Sequence, residues 1–216
     1  MKADENLMRV RLLITDAVQE NLGLTADQKG KIRDFVKVSG ERSRDFAAKW
    51  PDFSVSGAPV EMSEARTREF RAWLHDWQSK EKELRAKVVG MLTPSQSERL
   101  EQIQLRYAIA AALARPNLIK ALDISQEQLA KLRPLSHRIV ERQLAKLHDL
   151  DGLPPKQRRK KLIELSKQWD KAQEEANKLA LEVLTPEQRA KLEKLVGKEI
   201  EVTWDYDALV PDDGVL

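Results

Sequence analysis

Three histidines, His75, His137 and His148, and no cysteine make up all the imidazole and thiol chemistry available to this chain of 216 residues. Without cysteine there is no disulfide, no thiol nucleophile and no thiolate metal site. His137 and His148 stand eleven positions apart, or three helical turns. That spacing puts them on one helix face about 16 Å apart, too far to share an ion. His148 with Asp149 and Asp151 would make only a weak site, because two of its three ligands are loop carboxylates, so no bound metal is expected. No Gly-rich phosphate cradle occurs, so a nucleotide-driven cycle is not indicated. Carboxylates are abundant, but none lies in an apolar setting that would tune it for proton transfer. The expectation is a protein that is not an enzyme and carries no cofactor.

The pattern that does recur is a hydroxyl followed three residues later by glutamine. It appears as Leu24-Thr25-Ala26-Asp27-Gln28, Leu92-Thr93-Pro94-Ser95-Gln96, Ile124-Ser125-Gln126-Glu127-Gln128 and Leu184-Thr185-Pro186-Glu187-Gln188. In a capping box the Ser or Thr oxygen accepts the third backbone N–H of a helix, and the Gln reaches back to the cap N–H. Pro94 and Pro186 fall at the first helical position, where the absent N–H costs nothing. Thr25, Thr93, Ser125 and Thr185 therefore read as four helix starts with Gln28, Gln96, Gln128 and Gln188 as their box partners. None has a histidine in a position to make it a nucleophile.

Two further groups could make contacts. Trp50 and Phe53 flank a Pro, Ser and Gly-rich stretch, Pro51 to Pro59, and are candidates for an exposed apolar surface. The alternative is that they close the end of a helical bundle. Arg158, Arg159, Lys160 and Lys161 lie in a basic run that begins at Lys156 and could attract acidic clients or phosphates. The run begins a helix, where positive charge is disfavoured by the dipole, and no base-stacking aromatics interleave it. A solvated face is the ordinary explanation, and nucleic acid is not expected as a partner.

These residues must be carried by helices. Charged residues make up 34% of the chain against 5% aromatic, with eight Gly, and Lys plus Arg exceed Asp plus Glu by only three. High charge with near balance excludes both an acidic disordered tail and a strongly cationic nucleic-acid binder, and favours long amphipathic helices. The longest apolar run, Tyr107 to Ala114, is too short to span a bilayer. The first six residues lack the apolar core of a signal peptide, as they would after its removal. Helices are expected over about 4–22, 25–49, 63–89, 93–115, 125–148 with a bend at Pro134, 153–183 and 186–196, with a short segment at 117–122. Trp73, Trp77 and Trp169 sit on apolar stripes at helical spacing and are expected in the core.

The first and third capping phrases lie 100 positions apart and the second and fourth 92. Apolar positions keep that register: Val18 with Leu118, Leu22 with Leu122, Ile32 with Leu132, Phe35 with Leu135, Leu100 with Leu192, Ile103 with Leu195, and Trp77 with Trp169. The reading is a tandem duplication, residues 1–106 and 107–198. An acidic tail, 199–216, begins as an extended alternating segment and is expected to pack back through Trp204 and Tyr206; a disordered tail is the alternative.

Paired phrases of this kind resemble the LTxxQ-motif family of bacterial envelope proteins, the Spy/CpxP-like chaperones and stress proteins. Two such phrases there cap helices of a small all-helical chain that dimerises into a thin cradle. The resemblance covers about nine-tenths of the chain, with Ile124-Ser125 departing from the Leu-Thr pattern. It implies an all-α, elongated antiparallel assembly of two Spy-like repeats on one chain, either a monomer with pseudo-two-fold symmetry or a homodimer. It further implies a periplasmic location and ATP-independent holding of unfolded or partly folded proteins. The competing reading is a helical scaffold or regulatory interaction protein, including one that answers metal stress.

Overall fold

A computed structural model describes residues 5–50, 63–150 and 153–206. Among these residues the chain is all-α, with ten α-helices, one 3-10 turn and no strand. The first half holds α1 (Glu5–Leu13), α2 (Asp16–Asn21), α3 (Ala26–Lys49), α4 (Glu64–Gly90) and α5 (Pro94–Tyr107). The second holds α6 (Ile109–Ala112), α7 (Pro116–Leu122), α8 (Gln126–Leu147), the 3-10 turn His148–Leu150, α9 (Pro155–Val183) and α10 (Pro186–Val196).

Local chemistry sets the helix ends. Thr25, Thr93 and Thr185 take extended backbone angles within two degrees of one another and each closes a complete capping box. Ser125 does the same, its oxygen accepting Gln128 N–H at 3.1 Å while Gln128 Oε1 accepts Ser125 N–H at 3.0 Å. Before α3 and α8 the chain turns through a left-handed residue, Gly23 at φ 57° and Asp123 at φ 51°. Leu24 N–H then returns to Gln19 O, and Ile124 N–H to Ile119 O, both at 3.0 Å, the long bond of a Schellman ending. Glycine adopts that angle freely; Asp123 does so at a cost.

Two expected helices are each divided. The segment at 4–22 breaks at Ile14-Thr15, where the Thr15 hydroxyl donates to Leu12 O at 2.8 Å and Gln19 Nε2 donates to Leu13 O at 2.8 Å. Side chains thus take the carbonyls that would have continued the helix. The segment at 93–115 kinks at Ala108 (φ −123°, ψ 47°). There Asn177 of α9 donates from Nδ2 to Tyr107 O at 2.8 Å and accepts Ala110 N–H at 3.0 Å, satisfying both backbone groups freed by the kink. Helix α8 passes through Pro134 without ending.

Each half has a base and an arm. The first base buries Leu12, Leu13, Val18, Ile32 and Leu100. The second buries Ala112, Leu113, Leu122, Leu132 and Leu192. Beyond the first base, α3 and α4 continue as a pair whose partners fall in number along α4 as they rise along α3. Gln28 meets Met91, Arg42 meets Glu81 and Trp50 meets Phe70, so the two helices run in opposite directions. In the second arm Gln128 meets Val183 and Lys146 meets Gln168, again in opposite senses. The halves join where α5 packs on α10: Arg106 reaches Glu193 at 2.8 Å and Gly197 O at 2.9 Å, and Arg99 reaches Lys198 O at 2.7 Å. Ile103 and Leu195, equivalent by spacing, differ in burial, 2% against 39% exposed. Helix α5 has α1 as well as α10 to cover it, whereas α10 packs on α5 and α7.

Candidate functional site

The four capping phrases do more than open helices. Gln28 and Gln96 meet side by side, Gln28 Nε2 donating to Gln96 Oε1 at 2.8 Å and Gln96 Nε2 donating to Gln28 Oε1 at 3.2 Å. Each amide also crosses to the end of the opposite helix: Gln28 Nε2 lies 3.2 Å from Met91 O and Gln96 Nε2 3.4 Å from Leu22 O. Gln128 and Gln188 repeat the arrangement at 2.7 and 3.1 Å, with Val183 O at 2.9 Å and Leu122 O at 3.0 Å as the crossed acceptors. Two helix starts and two helix ends are thus tied by one pair of amides in each base. Glutamine suits this position because one carboxamide supplies acceptor and donor together. Beside the last cap, Glu187 is held below the usual carboxylate range by its own backbone N–H and by the Thr185 hydroxyl. These residues hold the scaffold.

The first arm carries five aromatic residues, Phe46, Trp50, Phe70, Trp73 and Trp77. Phe46 packs 5.2 Å from Trp73 and 5.8 Å from Trp77, and Trp50 meets Phe70 edge-on at 5.0 Å. Lys49 and Arg66 lie over the Trp50 ring at 5.6 and 4.1 Å. Of the two readings open for Trp50, exposed surface or the close of a bundle end, the second holds: it is only 4% exposed and closes the arm beneath Arg66. Trp73 and Trp77, expected in the core, are half-buried, as is Phe70. An arm of two helices covers each ring on one flank only, so the rings keep an open edge. Phe53 lies outside the described residues, as does the stretch 51–62 around it.

Below the rings Glu81, 2% exposed, accepts from Arg42 Nε at 2.7 Å, the Ser39 hydroxyl at 3.0 Å and Arg85 at 3.4 Å. Arg42 also donates to Trp77 O at 3.0 Å, which fixes the indole-bearing turn of α4 against α3. The second arm has a smaller apolar cluster, Leu150, Leu162 and Leu165, with Trp169 half-buried against it. Its basic run is divided by role. Arg158 turns back to donate to Leu153 O at 3.1 Å, and Lys161 pairs with Glu164 at 3.6 Å. Arg159 is half-buried and Lys160 exposed. Only part of the run therefore faces outward.

The halves and the C-terminal segment converge on Asp170, 8% exposed on α9. Both its oxygens take Arg11 Nη2, at 3.2 and 3.1 Å, and it accepts the hydroxyls of Tyr107 and, at 2.7 Å, Tyr206. Trp204 lies beneath the Arg11 guanidinium at 4.3 Å and edge-on to Tyr107 at 5.3 Å. Burial first, and then the hydrogen bond to Asp170, raise the Tyr107 and Tyr206 hydroxyls well above their ordinary range.

No family model, no curated protein and no solved structure matches this chain. What it can do must be argued from its own geometry. Among the described residues no group of three acidic or histidine side chains could hold a metal ion. No helix there is long and apolar enough to cross a membrane. His75 is exposed on α4; the side chains of His137 and His148 lie outside those described.

Sequence reasoning missed Glu81, Asp170 and Asn177. Each is a polar residue on a helix rich in other polar and charged side chains, so nothing local separates a buried acceptor from a solvated one. Arg42 and Glu81 are 39 positions apart and Arg11 and Asp170 159, distances that no helical spacing rule spans.

Proposed function

We propose that the chain is a non-catalytic, ATP-independent binding protein of the bacterial envelope, Spy/CpxP-like, that holds unfolded or partly folded proteins. The observation that carries the reading is the first arm. Three half-buried rings, Phe70, Trp73 and Trp77, lie in one row along α4 with Lys49 and Arg66 beside them. Aromatic edges offer apolar contact at low entropic cost, and the flanking cations draw acidic segments of a client by longer-range attraction. The paired capping phrases and the resemblance they carry give the same direction. On this reading the two halves are tandem copies. Matched crossed amides at 28/96 and 128/188, and left-handed turns at 23 and 123, support that view. The contact of the equivalent helices α5 and α10 is what a pseudo-two-fold junction requires.

The test is dilution of a denatured client into buffer without nucleotide at low salt. Near-stoichiometric protein suppresses aggregation, and Trp73→Ala with Trp77→Ala weakens the effect several-fold. Absence of suppression at low salt refutes the reading. A scaffold that docks one folded partner is the second reading. It is favoured by how few large apolar side chains are exposed among the described residues, Leu7, Val38, Leu179 and Leu195.

A further inference from the structure

Residues 199–205 follow α10 outside any helix or strand, and the segment crosses onto the first half. Ile200, Val202, Trp204 and Tyr206 are half-buried, whereas Glu199, Glu201, Thr203 and Asp205 are exposed, a strict alternation over eight residues. Ile200, Val202 and Trp204 pack on the first base, the cluster built by α1 to α5. Among the described residues no backbone-to-backbone hydrogen bond ties this segment to a helix. It is held by its alternate side chains: Trp204 under Arg11 and against Tyr107, and Tyr206 on Asp170. Beside Trp204 a cleft of about 560 Å³ stays open, with Ile14 and Ala17 as its apolar wall and Asp16, Glu20 and Asp205 as carboxylates around it.

We infer that the surface under residues 199–206 is a groove for an extended peptide with apolar side chains at every second position and an aromatic pair at the end. The chain's own C-terminal segment fills it as an intramolecular competitor. This deepens the holding role proposed above and rests on it for its purpose. A groove read through alternate side chains selects pattern rather than one sequence, which suits a protein with many unfolded clients. Asp16 and Glu20, the cleft carboxylates that stay when the segment leaves, favour a client carrying Lys or Arg beside its aromatic anchor, where the resident segment instead places Asp205. Tethering gives the resident segment an effective concentration in the millimolar range, so a free peptide at micromolar concentration reaches the groove only once the anchors are weakened.

The experiment uses the full chain and a full-chain variant with Trp204→Ala and Tyr206→Ala. The probe is a fluorescently labelled synthetic peptide of residues 198–206, followed by anisotropy. The variant binds it at least about tenfold more tightly than the unaltered chain, and a probe with both aromatic residues replaced by Ala loses that gain. Tyr206→Phe, which removes only the hydrogen bond to Asp170, shifts binding the same way by less. Equal binding to all chains overturns the inference. So does an absence of binding to both variants while their circular dichroism and melting show retained helices. Client holding is scored separately. Capture of the peptide without aggregation suppression sinks the chaperone reading and keeps the groove. Suppression that is unchanged in the variants, without peptide capture, does the reverse.

Discussion

Replacing Gln188 tests whether the glutamines of the capping phrases are local helix caps or the ties of each base. Gln188 is 8% exposed. Its Oε1 accepts Thr185 N–H at 3.0 Å and Gln128 Nε2 at 2.7 Å, and its Nε2 donates to Leu122 O at 3.0 Å and to Gln128 Oε1 at 3.1 Å. A local cap alone is worth about 1 kcal/mol. Each of these bonds contributes about 0.5–1.5 kcal/mol, and a buried group left without a partner costs about 1–3 kcal/mol. Gln188→Ala should therefore cost about 3 kcal/mol, and Gln128→Ala about 2 kcal/mol, since Gln128 is half-buried and its former partners reach water more readily. The two share two bonds, so the double variant should fall short of the sum by about 1 kcal/mol. Urea unfolding followed by far-ultraviolet circular dichroism measures all three. The same cycle at Gln28 and Gln96 should give a similar coupling, since the shared bonds are of similar length. Gln96→Ala alone should cost less than Gln188→Ala, because the crossed bond from Gln96 to Leu22 O is 3.4 Å against 3.0 Å for Gln188 to Leu122 O. Additivity within about 0.3 kcal/mol, or a cost for Gln188→Ala no larger than a simple cap, would refute the tie.

The two left-handed turns give a paired expectation. Asp123→Gly should stabilise the chain by about 0.5–1 kcal/mol, since the exposed pair with Lys191 at 3.5 Å that it gives up is worth little. Gly23→Ala should destabilise by about 1 kcal/mol through the backbone alone, because a Cβ there meets nothing within 4 Å. Unfolding midpoints decide both, and a destabilised Asp123→Gly contradicts the backbone argument. Tyr107 and Tyr206 are the only two tyrosines of the chain and both are raised by burial first. Above about pH 10 the unfolded chain releases these protons while the folded chain keeps them, so stability falls as pH rises past that point. Tyrosinate absorbance should therefore appear together with unfolding in an alkaline titration. The double Tyr→Phe variant should lose that part of the slope, and early tyrosinate in a folded chain contradicts the Asp170 arrangement.

Much of the architecture could be read along the chain. The starts of α3, α5, α8 and α10 follow from a hydroxyl and a glutamine three residues later, because a capping box is satisfied within one turn. The ends of α3, α9 and α10 follow from apolar spacing and from the residues that stop it. Residues 199–206 also alternate between exposed and half-buried as their pattern indicates, though their partners lie far along the chain. At the helix starts the partner of each group lies within about six residues, so local order in the sequence is the order of the contacts.

The breaks at Thr15 and Ala108 were not legible, nor were the open edges of Trp73 and Trp77. Ala108 sits in the most uniform apolar stretch of the chain, and its kink depends on Asn177 about 70 positions away. Trp50 is buried and Trp73 half-open because α3 and α4 project as an arm of only two helices, a fact of packing geometry that helical periodicity does not contain. Composition and spacing determine which segments become helices and where they start. The crossed amides, the Asp170 node and the surface under the C-terminal segment exist only once distant helices meet, since hydrogen bonding and burial act through space and a one-dimensional pattern carries no distance between its halves.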